Sequence, residues 1–82
     1  MQPTKEQIND ALAAEIRAGL ARRKMTVLEL AERTGISEST MMRITKGADI
    51  QLSKLYLIAD ALKLSPVKMV QNAVQEAERG VK

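Results

Sequence analysis

The sequence predicts an all-α domain with five helices, and two observations carry this prediction. Apolar residues recur in five segments at the three- and four-residue spacing of a single helix face, and no segment alternates like a half-buried strand. A Ser or Thr stands at the start of each segment, where helix N-caps are favoured. Because 82 residues hold one domain at most, we treat residues 1–82 as a single unit.

The first helix is predicted over residues 5–23. Thr4 and Gln7 have the spacing of a capping box, and Pro3 cannot continue a helix toward the N-terminus. The apolar stripe of this helix consists of Ile8, Ala11, Leu12, Ile16, Gly19 and Leu20, interrupted by Glu15. Gly19 is expected to allow a neighbouring backbone to approach closely.

Two short helices follow, joined by a tight turn. Thr26 with Glu29 is a second capping box, and Ser37 is expected to cap the next helix. Gly35 is expected to end the first of the two helices, because the residue after a helix C-terminus often needs positive φ. Gly47 is expected to end the second in the same way. The buried positions are expected to be Leu30, Ala31, Ile36, Met41 and Ile44.

The last two helices also begin at serines. Ser53 is expected to start the fourth, and Ser65 followed by Pro66 has the pattern of an N-cap and first helical position of the fifth, which ends near Gly80. The core stripe of the fourth helix is predicted to be Leu52, Leu55, Ile58, Ala59 and Leu62. That of the fifth is predicted to be Val67, Val70, Ala73, Val74 and Ala77.

Composition narrows the classes of function. The chain has no Cys, no His and one aromatic residue, a Tyr. Disulfides and thiolate metal sites are excluded, and the usual bases and nucleophiles are scarce, so we expect no enzymatic activity, metal or cofactor. No apolar run is long enough to span a bilayer, and the N-terminal stretch is acidic where a signal peptide is basic. We therefore expect a cytoplasmic protein with no membrane partner.

The charge is distributed unevenly along the chain. The overall net charge is +3, but residues 17–68 carry ten Lys or Arg against five acids, a net of +5, while residues 1–16 carry a net of −2. Many solvated surfaces have a similar overall charge. The concentration of positive charge in the middle of the chain favours a nucleic-acid partner.

The second and third helices together have the pattern of a helix-turn-helix. The residues that carry this pattern are Leu30, Ala31, Gly35, Ser37, Ile44 and Gly47, followed by the stretch LSKLYLIADALKLSP. In these positions the chain resembles the lambda-repressor-like helix-turn-helix family, the Cro and phage-repressor (Xre) type. The resemblance covers a core of about residues 16–70, with N-terminal and C-terminal extensions in the first and fifth helices. It implies a five-helix DNA-binding domain, usually dimeric, whose third helix enters the major groove of an operator.

The chain departs from the family pattern at several positions. Val27 stands where the family often has Gln, and Met41 where it prefers Val or Ile. Leu20 and Thr45 occupy the positions of a frequent Arg–Glu ion pair, so an apolar contact is expected to replace that pair.

Four residues on the outer face of the third helix, about residues 37–46, are candidates for base reading. Arg43 can donate two hydrogen bonds to a guanine, against the alternative of a solvated side chain. Ser39 matches a position that often touches a base edge, or bonds only locally. Glu38 can accept from cytosine N4, or simply complements the helix dipole. Met42 can touch a thymine methyl, or is merely exposed.

Basic residues and one hydroxyl are candidates for phosphate contact. They are Lys46, Thr26, Lys54, Arg22, Arg23 and Lys24. The last three end the first helix, where positive charge also stabilises the helix dipole, so a purely structural role is an alternative.

A second apolar line points to a dimer. Leu57, Ala61 and Leu64, with Met69 and Val81, are more apolar surface than a small monomer should show. A two-fold dimer would bury part of it and place two recognition helices about 34 Å apart. The alternative is that the fifth helix covers these residues within one chain.

The function that the sequence favours is a sequence-specific double-stranded DNA binder that regulates transcription, most simply a repressor. The alternative is that this fold serves as a helical protein–protein interaction module, or as an antitoxin that binds a toxin. A further protein partner, a toxin or another regulator, fits either hypothesis.

Overall fold

Five α-helices make up the computed structural model, which describes residues 2–80. The helices are α1 (Lys5–Arg22), α2 (Val27–Thr34), α3 (Glu38–Ile44), α4 (Leu52–Ala61) and α5 (Pro66–Arg79). Residues 2–80 contain no strand, so the all-α prediction is confirmed. No helix in this range is long and apolar enough to cross a membrane.

Side-chain caps begin four of the five helices as predicted. Thr4 and Thr26 each form a complete capping box, with Gln7 and Glu29 as the returning side chains. The Ser37 and Ser65 hydroxyls accept from backbone N–H groups in the first turns of α3 and α5. Each such cap satisfies an N–H that the helix itself leaves without a partner.

The start of α4 differs from the prediction. Its N-cap is Gln51, which makes no side-chain capping bond, and the helix begins at Leu52 rather than at Ser53. Leu52 is the first residue of the helix, and its side chain is 78% exposed. Its assignment to the core stripe is therefore wrong. The buried stripe of α4 starts one turn later and consists of Leu55, Ile58 and Ala59, with Leu62 just past the helix.

The core draws on all five helices. Its fully buried large side chains are Ile16, Leu30, Met41, Ile44, Ile58, Leu62 and Met69. The α4–α5 turn closes over Gly19 of α1, where an added Cβ would lie 3.0 Å from the Leu62 Cδ1 atom and 3.3 Å from Leu64 Cδ1. Gly19 thus makes room for leucine side chains rather than for a neighbouring backbone.

The buried face of α5 is rotated from the predicted one, although the two share Ala73 and Ala77, which are buried as predicted. Met69 completes the buried face, whereas Val74 is half-buried and Val67 and Val70 are 67% and 37% exposed. Met69 is only 2% exposed, so the expectation that it adds to an exposed dimer surface is wrong. It fills the core between α5 and the rest of the domain.

Candidate nucleic-acid interface

The turn between α2 and α3 depends on a left-handed residue. Gly35 has φ 77° and ψ 5°, and its N–H donates to the Ala31 carbonyl at 2.9 Å. The Thr34 hydroxyl donates to the Leu30 carbonyl at 2.8 Å and accepts from the N–H of Ile36 at 3.3 Å. These bonds close the end of α2 and set the direction in which the chain enters α3.

One side of α3 is packed into the core and the other side is open. Met41 and Ile44 are 0% and 2% exposed. The four residues predicted to read bases, Glu38, Ser39, Met42 and Arg43, are all exposed. The structure thus brings them together on one solvent-facing surface, which we call the α3 face.

Arg43 lies along α3 rather than away from it. Its Nη2 atom donates to the Thr40 hydroxyl at 3.2 Å, and that hydroxyl also accepts from Ser37 at 2.9 Å. The hydroxyl of Ser39 lies 3.4 Å from that of Ser37. The sequence does not identify Thr40 as a hydrogen-bond partner of Arg43, because no local pattern marks a Thr inside a helix for that role.

The C-terminal end of α3 is held from α1. Thr45 is only 7% exposed, and its hydroxyl donates to the Met42 carbonyl at 2.8 Å. The Arg17 guanidinium donates to the Thr45 carbonyl, an acceptor at the end of α3. Leu20, at the position where the family often has an Arg, is buried in the core. The link between α1 and the end of α3 therefore includes a hydrogen bond that starts one turn earlier, at Arg17.

The loop after α3, residues 45–51, carries a second set of polar contacts. Gly47 has φ 104°, and Asp49 accepts from the Asn9 amide and from Lys5 Nζ, the latter at 3.2 Å. Both donors favour the charged carboxylate, so they hold the pKa of Asp49 below its usual 3.8, with the Asn9 hydrogen bond as the larger cause.

The phosphate candidates fall into two groups. Lys46 follows α3 directly and is exposed, Lys54 lies half-buried in the first turn of α4, and Thr26 is the exposed N-cap of α2. The Thr26 hydroxyl is bonded within its own capping box, to Glu29. Lys24 is exposed in the α1–α2 turn, with φ 52°.

Arg22 and Arg23 form the second group. The Nε of Arg23 donates to the Leu62 carbonyl at 2.8 Å, at the C-terminal end of α4, and Arg22 lines the same depression as Lys63. Lys54 lies at the N-terminal end of α4, whereas Arg23 contacts its C-terminal end. About 15 Å, the length of a ten-residue helix, therefore separates the two groups of candidates. The Arg23 contact joins the ends of α1 and α4, and it is a different role from stabilisation of the α1 dipole, the predicted alternative to phosphate binding.

The apolar dimer candidates are divided by the structure. Leu57 is 47% exposed, whereas Ala61 and Leu64 are half-buried and pack against the core. Val81 lies outside the described residues. Val67 and Val70, which the sequence predicts to lie in the core, are exposed instead. They follow Leu64 closely in the chain.

Comparisons with known proteins agree with this geometry. A model of the Cro/C1-type helix-turn-helix DNA-binding domain matches residues 15–67. The chain is similar to the HTH-type transcriptional regulator PrtR of Pseudomonas aeruginosa, with 38% identity over 58 residues. This alignment covers 71% of the chain but only 23% of PrtR, so the chain spans about a quarter of that relative's length. No solved structure matches significantly. With a helix-turn-helix in place and more than half of its length matched, the chain belongs to the lambda-repressor-like family of Cro/C1-type helix-turn-helix DNA-binding domains.

Proposed function

We propose that this chain binds double-stranded DNA in a sequence-specific manner and regulates transcription, most simply as a repressor that occludes a promoter. The observation that carries the proposal is the α3 face: a helix packed on one side by Met41 and Ile44 and open on the other. Family membership and the name of the relative PrtR support it. In this role the chain would act on the nucleoid, in the cytoplasm, as residues 1–82 or as part of a longer regulator.

Arg43 is proposed to read a base in the major groove. Its guanidinium can leave the Thr40 hydroxyl and donate twice to guanine O6 and N7, since the Thr40 bond is exposed and its acceptor is an uncharged hydroxyl. Ser39, Glu38 and Met42 share the α3 face and are proposed to contact neighbouring base edges. Glu38 would accept from a cytosine amino group and Met42 would pack on a thymine methyl.

Lys46, Lys54, Lys24 and Thr26 are proposed to contact phosphates. Lys46 adjoins the α3 face, and Thr26 caps α2, whose first N–H groups lack helical partners. Such contacts add affinity without sequence choice, and they weaken with salt. Arg22 and Arg23 are left as weaker candidates because Arg23 is engaged by α4.

A homodimer is proposed to form through the exposed apolar residues of α4 and α5. Leu57, Val67 and Val70 contribute the exposed part, and Ala61 and Leu64 its half-buried edge. A two-fold arrangement of these surfaces would present two α3 faces to successive major grooves, about 34 Å apart.

The test begins with selection of binding sites from random duplexes by the purified chain. We expect a palindromic site with half-sites about one helical turn apart. Arg43→Ala should weaken binding to that site by about 1–3 kcal/mol per half-site and relax preference at one base position. Arg79→Ala is the matched control, because Arg79 is an exposed arginine of α5 bonded only to Glu76 in the described structure.

The result that contradicts the proposal is equal binding by both arginine variants, or no salt-dependent binding to any duplex. In the second case the fold would serve as a protein–protein interaction module, with a toxin or another regulator as the partner. The exposed valines of α5 would then be the residues whose substitution abolishes binding of that protein.

A further inference from the structure

Polar side chains of α1 follow the loop after α3 along most of its length. The Arg17 guanidinium donates to the Thr45 carbonyl, and the carboxylate of Asp10 covers Gly47, where an added Cβ would lie 2.5 Å from Asp10 Oδ1. Further along, Asn9 and Lys5 both contact Asp49. We call Lys5, Asn9, Asp10 and Arg17 the α1 brace.

The contacts of the α1 brace form an ordered series. Moving toward the N-terminus of α1, the contacted loop positions advance from 45 to 47 to 49. Residues 5 to 17 extend over about 18 Å of helix, so α1 runs antiparallel to the whole loop. Three of the four brace residues precede residue 15, where the match to the family model begins.

Few backbone hydrogen bonds hold the loop in place. Its backbone hydrogen bonds to α3 end at Ala48, whose N–H donates to the Arg43 carbonyl at 3.0 Å. The following helix, α4, starts at Leu52, and its N-cap Gln51 makes no side-chain capping bond. Between these points, Asp49 is held by its side-chain contacts with α1.

The charges of the brace also matter to a DNA ligand. Asp49 is an exposed anion three residues from Lys46, beside the surface proposed to meet phosphates. Lys5 Nζ, at 3.2 Å, offsets that negative charge. The lowered pKa of Asp49 reflects the same two donors.

We propose that Asn9 and Lys5, acting through Asp49, are positioning residues for DNA binding: they fix the loop beside the α3 face and neutralise its carboxylate. This inference rests on the proposed DNA-binding function. Since Asn9 carries no charge, removing it loosens the loop without changing the net charge of the surface. Removing Lys5 leaves the Asp49 carboxylate without its cation.

The experiment measures the affinity of the full chain for the duplex that the wild type selects, at several salt concentrations and at a temperature where every variant is fully folded. Asn9→Ala should weaken binding about threefold to tenfold, with an unchanged salt slope. Lys5→Ala should weaken binding most at low salt, because repulsion by Asp49 is then least screened. Gln71→Ala, which removes an exposed amide from α5, is the matched control.

A double-mutant cycle separates positioning from a general loss of stability. At high salt, where loss of the Asp49 anion is screened, Asp49→Ala should weaken binding as Asn9→Ala does, and combining them should add little because the two residues act as a pair. Asp49→Asn keeps an acceptor for Asn9 and removes the anion, so it should restore binding to near the wild-type level. Binding by Asn9→Ala and Asp49→Ala that equals that of Gln71→Ala would overturn the inference.

Amide hydrogen exchange of residues 46–51 tests the same inference without DNA. We expect faster exchange in Asn9→Ala than in Gln71→Ala, confined to the loop. If the wild type bound no duplex, the proposed function would fail, and unchanged exchange in the loop would then overturn the positioning role independently.

Discussion

Replacing Gly35 by Ala should destabilise the domain through backbone conformation alone. Gly35 has φ 77°, and an added Cβ would meet no atom within 4 Å. No steric clash therefore contributes, and the cost is that of holding a Cβ-bearing residue in the left-handed region, about 1–2 kcal/mol. For a domain of this size, 1 kcal/mol lowers the melting temperature by roughly 4–8 °C. We thus expect a decrease of roughly 4–16 °C, from these same two estimates.

Thermal and urea denaturation of two further variants would identify the cause. Gly35→Asn should lose less stability than Gly35→Ala, because Asn tolerates the left-handed conformation better. Gly80→Ala is the control: Gly80 has φ −79°, and its added Cβ would lie 3.5 Å from the Ala77 carbonyl, an ordinary contact. It should be neutral or slightly stabilising. A Gly35→Ala variant as stable as the wild type would refute the assignment of the turn to a left-handed residue.

Three other changes have defined outcomes. Thr26→Ala removes the capping box of α2 and should cost about 1 kcal/mol in chemical denaturation, whereas Thr26→Ser should cost less. Met69→Ala should cost about 2–5 kcal/mol by opening a cavity in the core, and a loss below 1 kcal/mol would contradict its burial. Because the pKa of Asp49 is depressed in the fold, its contribution to the free energy of unfolding is present above pH 3.8 and is lost as the pH falls through the lowered value. The stability difference between wild type and Asp49→Asn should therefore shrink on acidification, and a constant difference down to pH 2 would contradict the contacts with Asn9 and Lys5.

Helix boundaries could be predicted here because the signals are local. The capping boxes at Thr4 and Thr26 and the pair Ser65–Pro66 each involve residues within one turn of the chain. A local hydrogen bond of this kind does not depend on what the rest of the domain does. The predicted start of the fourth helix at Ser53 is wrong for the same reason. The helix α4 begins without a side-chain cap, so no capping residue in the sequence indicates its first residue.

The buried face of α5 could not be predicted as reliably. Two apolar lines run along this helix, one through Met69, Ala73 and Ala77 and one through Val67 and Val70. Hydrophobic spacing alone groups Val67, Val70 and Val74 with Ala73 and Ala77, and it leaves Met69 out of the stripe. Close packing of α5 on the rest of the domain is what favours the small residues, since Ala73 is 0% exposed. Such a choice depends on interhelical distance, which no single segment encodes.

The exposed α3 face followed from its helical spacing, but the polar contacts behind it did not. Arg17 and Thr45 are 28 residues apart, and Asn9 and Asp49 are 40 apart. Nothing in the local pattern distinguishes Arg17 from Arg22, the other arginine of α1. Only the path of α1 beside the loop after α3 brings these partners together.

The short length of α3 explains why its surroundings matter to function. A seven-residue helix is not stable alone in water, because nucleation is costly and few hydrogen bonds follow it. Its conformation is maintained by the Ser37 cap, by burial of Met41 and Ile44, and by the Arg17 bond at its C-terminal end. These supports all lie on the inner side or at the ends of α3. The outward side chains of the proposed base-reading residues add little to them, so this surface can change its side chains, and with them the preferred DNA sequence, while the helix stays in place.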